Sequence, residues 1–131
     1  MASRRLETGL AWLSLVGAGV HFSLETLYHI RFGQFLPLLV VDYVAVGLLA
    51  YSGSVSLRVR PSSASGLLSG AWGFAASLAY LGFFAHLQLY LQGAAPLFVV
   101  VILGVALAAA SAAFACSLLL VRAAMRQSTT R

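Results

Sequence analysis

The chain has 131 residues, of which 61% are hydrophobic and 8% are charged. A soluble domain carries about 25% charged residues, so a chain this apolar has too little polar surface to cover a water-soluble core. The net charge of +5 is compatible with nucleic acid as a partner. The arginines, however, flank apolar segments, which is where membrane insertion places basic residues. The composition predicts one integral membrane domain over residues 1–131 and excludes nucleic acid.

Four apolar segments follow one another along the chain. A membrane-spanning helix needs about 20 mostly apolar residues, and segments at about 9–30, 35–52, 66–91 and 96–121 meet or nearly meet this length. A tight turn at 31–34 separates the first two, a longer Ser-rich loop at 53–65 separates the middle two, and a turn at 92–95 precedes the last. The pattern predicts an all-α bundle of four transmembrane helices.

The arginines predict the orientation of this bundle. With four spans, seven arginines fall on one side of the membrane and Arg31 alone falls on the other. Cytoplasmic loops carry the excess of basic residues, so we expect an up-down-up-down bundle with both termini in the cytoplasm. All eight basic residues are arginine, a bias typical of GC-rich bacterial genomes. The expected location is therefore the bacterial inner membrane, with a multi-pass topology and the lipid bilayer as the first partner.

Ionisable side chains inside the spans indicate a functional site, because they are costly in lipid. His21, Glu25 and His29 recur every four residues and so lie along one face of the first helix. At a rise of 1.5 Å per residue, His21, Glu25, Asp42 and His86 fall at similar depth in the outer half of the membrane. We expect these four side chains to form one cluster, with His29 and Tyr28 at its outer rim. Glu7, before the first span, is expected to take no part.

Small residues predict which helix faces point inward. Close helix packing in membranes uses Gly, Ala and Ser. Gly17 and Ala18 share a face with His21, and Ala79 and Gly82 share a face with His86. These four residues are expected to form the helix contacts that direct both histidines into the bundle.

Three kinds of chemistry suit such a cluster. Two imidazoles and two carboxylates are ligands for a transition metal such as Zn, Fe or Mn, and the same groups can relay protons. Haem b held between His21 and His86 is an alternative, which the neighbouring carboxylates disfavour. The remaining alternative is structural, with the cluster holding the helices in register.

Two families resemble parts of this sequence. The chain length and a membrane glutamate in the first helix resemble the small multidrug resistance family, which implies an ion-coupled transporter, although the strong arginine bias departs from the dual topology of that family. The stretch at 17–25, with His21 and Glu25, looks like the His-x3-Glu helix of emopamil-binding sterol isomerases, which implies acid–base chemistry on a lipid. A chain without a soluble domain is also typical of an accessory subunit in a larger membrane complex or of a homo-oligomer.

Overall fold

The structure is a computed structural model that describes residues 2–33, 35–58 and 61–129 and, within them, all side chains except those of residues 2, 3, 61–64, 127 and 128. It consists of four helices: α1 (Ala2–Phe32), α2 (Leu36–Arg58), α3 (Pro61–Leu91) and α4 (Leu97–Thr129). Each helix contains a segment long and apolar enough to cross a membrane. The predicted all-α class and the four predicted apolar helices are confirmed.

The helices extend beyond the predicted spans, most of all around the middle connection. The segment 53–65 was expected to be a loop, but α2 continues to Arg58 and α3 begins at Pro61. Serine disfavours helix interiors because its hydroxyl competes for backbone groups. Here Ser56 and Ser65, which belong to the segment expected to be a loop, are buried in the bundle. Tertiary packing of these small residues outweighs their weak helix propensity.

Glycine ends two of the helices. Gly33 and Gly93 have positive φ angles of 68° and 73°, a conformation that closes a helix C-terminus and favours glycine. The N–H of Gly33 donates to the carbonyl oxygen of His29 at 2.9 Å, and the N–H of Ala94 donates to that of Leu89 at 2.8 Å. We call the end of the bundle with these turns the hairpin end. The opposite end carries five exposed arginines and is called the arginine end: Arg4, Arg5, Arg58, Arg122 and Arg126.

Neighbouring helices pack in antiparallel pairs. α1 packs most extensively on α2, and α3 on α4. A Cβ built on Gly53 would lie 2.7 Å from the carbonyl oxygen of Ala11, whereas farther along α1 Phe22 meets Tyr43. In the second pair, Cβ atoms built on Gly73 and Gly104 would lie 3.0 Å from Phe114 and 3.2 Å from Phe83. Contacts between α2 and α3, and weaker ones from α1 to α3 and α4, join the two pairs.

The hydrophobic core lies in the half of the bundle nearer the arginine end. Within the described residues 22–33, 35–44 and 79–103, which border the hairpin end, only Leu39 and Val100 are buried. Large apolar side chains such as Ile30 and Leu91, each 75% exposed, cover the outside there, as expected of a surface that faces lipid. The core cluster draws on all four helices: Leu10, Ala18, Leu49, Leu68, Ala71, Trp72, Ala110, Ala113 and Leu120.

The four predicted packing residues lie on inward faces to different degrees. Ala18 is 4% exposed and belongs to the core. A Cβ on Gly17 would lie 3.6 Å from Cη2 of Trp72, and one on Gly82 would lie 4.0 Å from Cδ2 of Leu103. Ala79 is half-buried. Gly17 therefore contacts α3, and Gly82 contacts α4.

Candidate metal centre

Three of the predicted site residues come together between α1 and α2. His21 and Glu25 lie one turn apart on α1, and the antiparallel register places Asp42 of α2 opposite them. The Nε2 atom of His21 is 3.6 Å from Oδ1 of Asp42. One possible ligand atom from each of His21, Glu25 and Asp42 lies within 4.8 Å of the other two.

The residues that follow each site residue fix the register of the two helices. Thr26, next to Glu25, shares a 2.8 Å hydrogen bond with the hydroxyl of Tyr43, next to Asp42. Phe22, next to His21, packs its ring against that of Tyr43 with centroids 5.4 Å apart. These contacts join α1 and α2 beside the group and support the register that brings the site residues together.

The spacing of the group matches that of metal ligands. Two ligand atoms that share a tetrahedral Zn²⁺ at about 2.0–2.2 Å lie about 3.4 Å apart, close to the 3.6 Å between His21 and Asp42. That distance exceeds a hydrogen bond, and within the described part of the chain Nε2 of His21 has no hydrogen-bond partner although it is buried. In the tautomer with its proton on Nδ1, the imidazole presents the lone pair of Nε2 to an ion between it and the carboxylate.

Burial and charge also suit a cation. The side chains of His21 and Asp42 are 34% and 18% exposed, and Glu25 is half-buried, so the group is reachable yet largely outside bulk solvent. Two carboxylates carry two negative charges, which one divalent cation balances. A neutral site of this kind removes most of the cost of burying the charges.

His86 and His29 lie outside this group. The Nδ1 atom of His86 is 2.9 Å from the carbonyl oxygen of Gly82 on its own helix, and the group within ligand distance contains no described residue of α3. The depth calculation places His86 at the right height, but α3 pairs with α4 at this end of the bundle. His29 lies one turn beyond Glu25, and the ring of Tyr28 packs at a tilt against that of Phe32 with centroids 5.0 Å apart. Their place at an outer rim stays a prediction.

Sequence reasoning missed two features of this helix face. The pairing of Thr26 with Tyr43 follows from no motif, because it depends on the register of two helices. Glu7, placed before the first span, is in fact inside α1 and only 5% exposed. Glu7, Ser14 and His21 are spaced by seven residues and so share one helix face, a signal visible in the sequence once the helix is extended past residue 9.

Comparison with protein-family models, with curated proteins and with solved structures finds no match for this chain. The geometry of the group is thus the basis for a functional assignment.

Proposed function

We propose that this chain is a multi-pass membrane protein that binds one divalent transition-metal ion through His21, Glu25 and Asp42. The observation that carries the proposal is the meeting of three ligand atoms from two helices within 4.8 Å. The arginines favour a cytoplasmic location for the arginine end and for both termini. In that orientation the helices cross the membrane up-down-up-down, and the metal site lies in the outer half.

The ligand set narrows the choice of metal. One imidazole and two carboxylates suit Zn²⁺, Mn²⁺ or Fe²⁺, whereas a soft metal such as Cu⁺ prefers sulfur. Cys116 is half-buried on α4, far along the bundle from this group, and supplies no thiolate here. Three protein ligands leave at least one coordination position open, as in catalytic and exchanging sites and unlike closed structural ones. This favours a site that exchanges its metal or binds a further ligand.

A proton relay is the second candidate, and the contact between His21 and Asp42 favours it. An imidazole beside a carboxylate can pass a proton between two surfaces. This function needs no metal, so metal binding itself separates the two candidates.

The test is a metal titration of the purified protein in detergent after treatment with a chelator. Co²⁺ serves as a spectroscopic probe, and elemental analysis after loading with Zn²⁺ or Mn²⁺ gives the stoichiometry. We expect one metal per chain in the wild type and at least a tenfold loss of affinity in Glu25→Gln, because an amide is a poor replacement for a carboxylate ligand and even outer-shell changes cost about 10–100-fold.

His86→Gln is the matched control, since His86 faces its own helix backbone, and it should bind metal as the wild type does. Equal metal binding by the wild type and Glu25→Gln would refute the proposed site. A wild type that binds no metal, with a His21 protonation that responds to Asp42→Asn, would establish the relay instead.

A further inference from the structure

A second carboxyl group lies inside the bundle, near the arginine end. The side chain of Glu7 is 5% exposed, and its Oε1 atom is buried without a hydrogen-bond partner among the described residues. Burying an ionised carboxylate costs several kcal/mol unless a partner compensates for the lost water. The position therefore requires either a bound cation or a bound proton.

Ser56 on α2 offers an oxygen atom at the same level. Its side chain is 9% exposed, and its Oγ atom also has no hydrogen-bond partner in the part of the chain that the structure describes. The contact of Gly53 with Ala11 sets the register of α1 and α2. From that contact, Glu7 lies about 6 Å and Ser56 about 4.5 Å toward the arginine end. Two buried oxygen atoms without partners thus occupy one level of two adjacent helices.

The chemistry of these oxygens selects the ligand. Carboxylate and hydroxyl oxygens are hard ligands, which suit alkali cations and protons better than transition metals. A single carboxylate carries one negative charge, so a monovalent cation makes the site neutral. We propose that Glu7 and Ser56 form an inner site that binds one monovalent cation, either a proton or a sodium ion.

None of the arginines that the structure describes at this end is buried beside the carboxyl of Glu7. Arg4 and Arg5 on α1 and Arg58 on α2 are exposed, as are Arg122 and Arg126 on α4, while Oε1 of Glu7 has no accessible surface. The described side chains of α3 near this end include no ionisable group. The guanidinium groups thus lie at the surface, and the carboxyl lies beneath them.

The inner site is independent of the proposed metal centre. Glu7 and His21 are separated by fourteen residues of α1, about 21 Å along the helix axis. The two sites also differ in ligand type, so each can be lost while the other remains.

Two measurements on the full chain in detergent test the inner site. Binding of radioactive sodium is measured at constant ionic strength with choline as the replacement ion. Infrared spectroscopy in H₂O and D₂O detects the C=O band of a protonated carboxyl. If sodium is the ligand, the wild type binds one ion, Glu7→Gln binds none, and Ser56→Ala binds about tenfold more weakly because it loses one ligand to a charged species.

If the proton is the ligand, the wild type binds no sodium but shows a protonated-carboxyl band that Glu7→Gln removes and Glu25→Gln retains. A wild type with neither sodium binding nor such a band would overturn the inner site, as would a band that Glu25→Gln removes completely. The first outcome uses the wild type and the second uses Glu25→Gln, so both stand even if Glu7→Gln fails to fold. Metal binding by the same samples reports separately on the proposed metal centre of His21, Glu25 and Asp42.

Discussion

The acidic and basic residues of this chain are separated between its interior and its surface. The sequence has three acidic residues: Glu7 is buried, and Glu25 and Asp42 are half-buried between α1 and α2. Every arginine whose side chain the structure describes is exposed. Anions in the interior need compensating charge, and this separation is the reason that small cations are proposed as the ligands of both sites.

At the level of single residues, Tyr43 links the proposed metal site to the packing of its helices. Tyr43→Phe removes the 2.8 Å hydrogen bond with Thr26 and should lower the free energy of unfolding by about 1 kcal/mol. Metal stoichiometry should stay unchanged because the three ligands remain. Metal affinity should fall modestly because the register of α1 and α2 is held less firmly. Unfolding in mixed micelles and a Co²⁺ titration measure the two effects.

Tyr51→Phe is the matched control for that change. Tyr51 lies on the same helix and is 60% exposed, so the loss of its hydroxyl should alter neither stability nor metal affinity. Equal effects of the two substitutions would show that the hydrogen bond between Thr26 and Tyr43 does not support the site.

Residue spacing predicted part of the site and could not predict the rest. The four-residue spacing of His21 and Glu25 sets their common face on one helix, and depth counting correctly matched Asp42 to His21 across two helices. The same counting grouped His86 with them, because depth gives height along the bundle and says nothing of which helices pair at that height. The burial of Glu7 was not predicted because the first span was predicted to begin at about residue 9, where the long apolar run begins. The helix α1 begins earlier, at Ala2.

At the level of helices, the closest backbone approach lies between α1 and α2. Gly53 was predicted to begin the Ser-rich loop at 53–65. In the structure it is buried inside α2, and the absence of a side chain lets the helix meet the carbonyl of Ala11. Sequence alone cannot distinguish a glycine that ends a helix from one that allows close packing, because both lie beside small and polar residues.

Gly53→Ala should therefore destabilise the protein. The new Cβ would lie 2.7 Å from a backbone oxygen, which no side-chain rotation relieves, so α1 and α2 must move apart at a cost of about 1–3 kcal/mol. Gly47→Ala on the same helix meets nothing within 4 Å and should be neutral or stabilising by up to about 1 kcal/mol. Thermal unfolding of both variants in the same detergent is the measurement. A Gly53→Ala variant as stable as Gly47→Ala would mean that the helices are farther apart than described.

At the level of the whole molecule, the two halves of the bundle differ in packing. The half near the arginine end contains the shared core of all four helices, whereas among the described residues that border the hairpin end only Leu39 and Val100 are buried. The group of His21, Glu25 and Asp42 lies between α1 and α2 and outside this core. On the proposed function, stability and metal binding are therefore set in different parts of the molecule.

The orientation of the bundle decides which compartment supplies the metal and which supplies the inner cation. The positive-inside rule places the arginine end in the cytoplasm, so reporter fusions after Ser63 and at the C-terminus should report a cytoplasmic location, and a fusion near Gly93 should report the opposite side. In intact cells, a chelator that cannot cross the membrane should then compete for metal at the site of His21, because that site is nearer the hairpin end. A cytoplasmic signal from the Gly93 fusion would refute the four-span orientation. If metal reaches His21, Glu25 and Asp42 only from the cytoplasm, these three side chains remain the ligands. The cytoplasm, and not the opposite side, then supplies the metal.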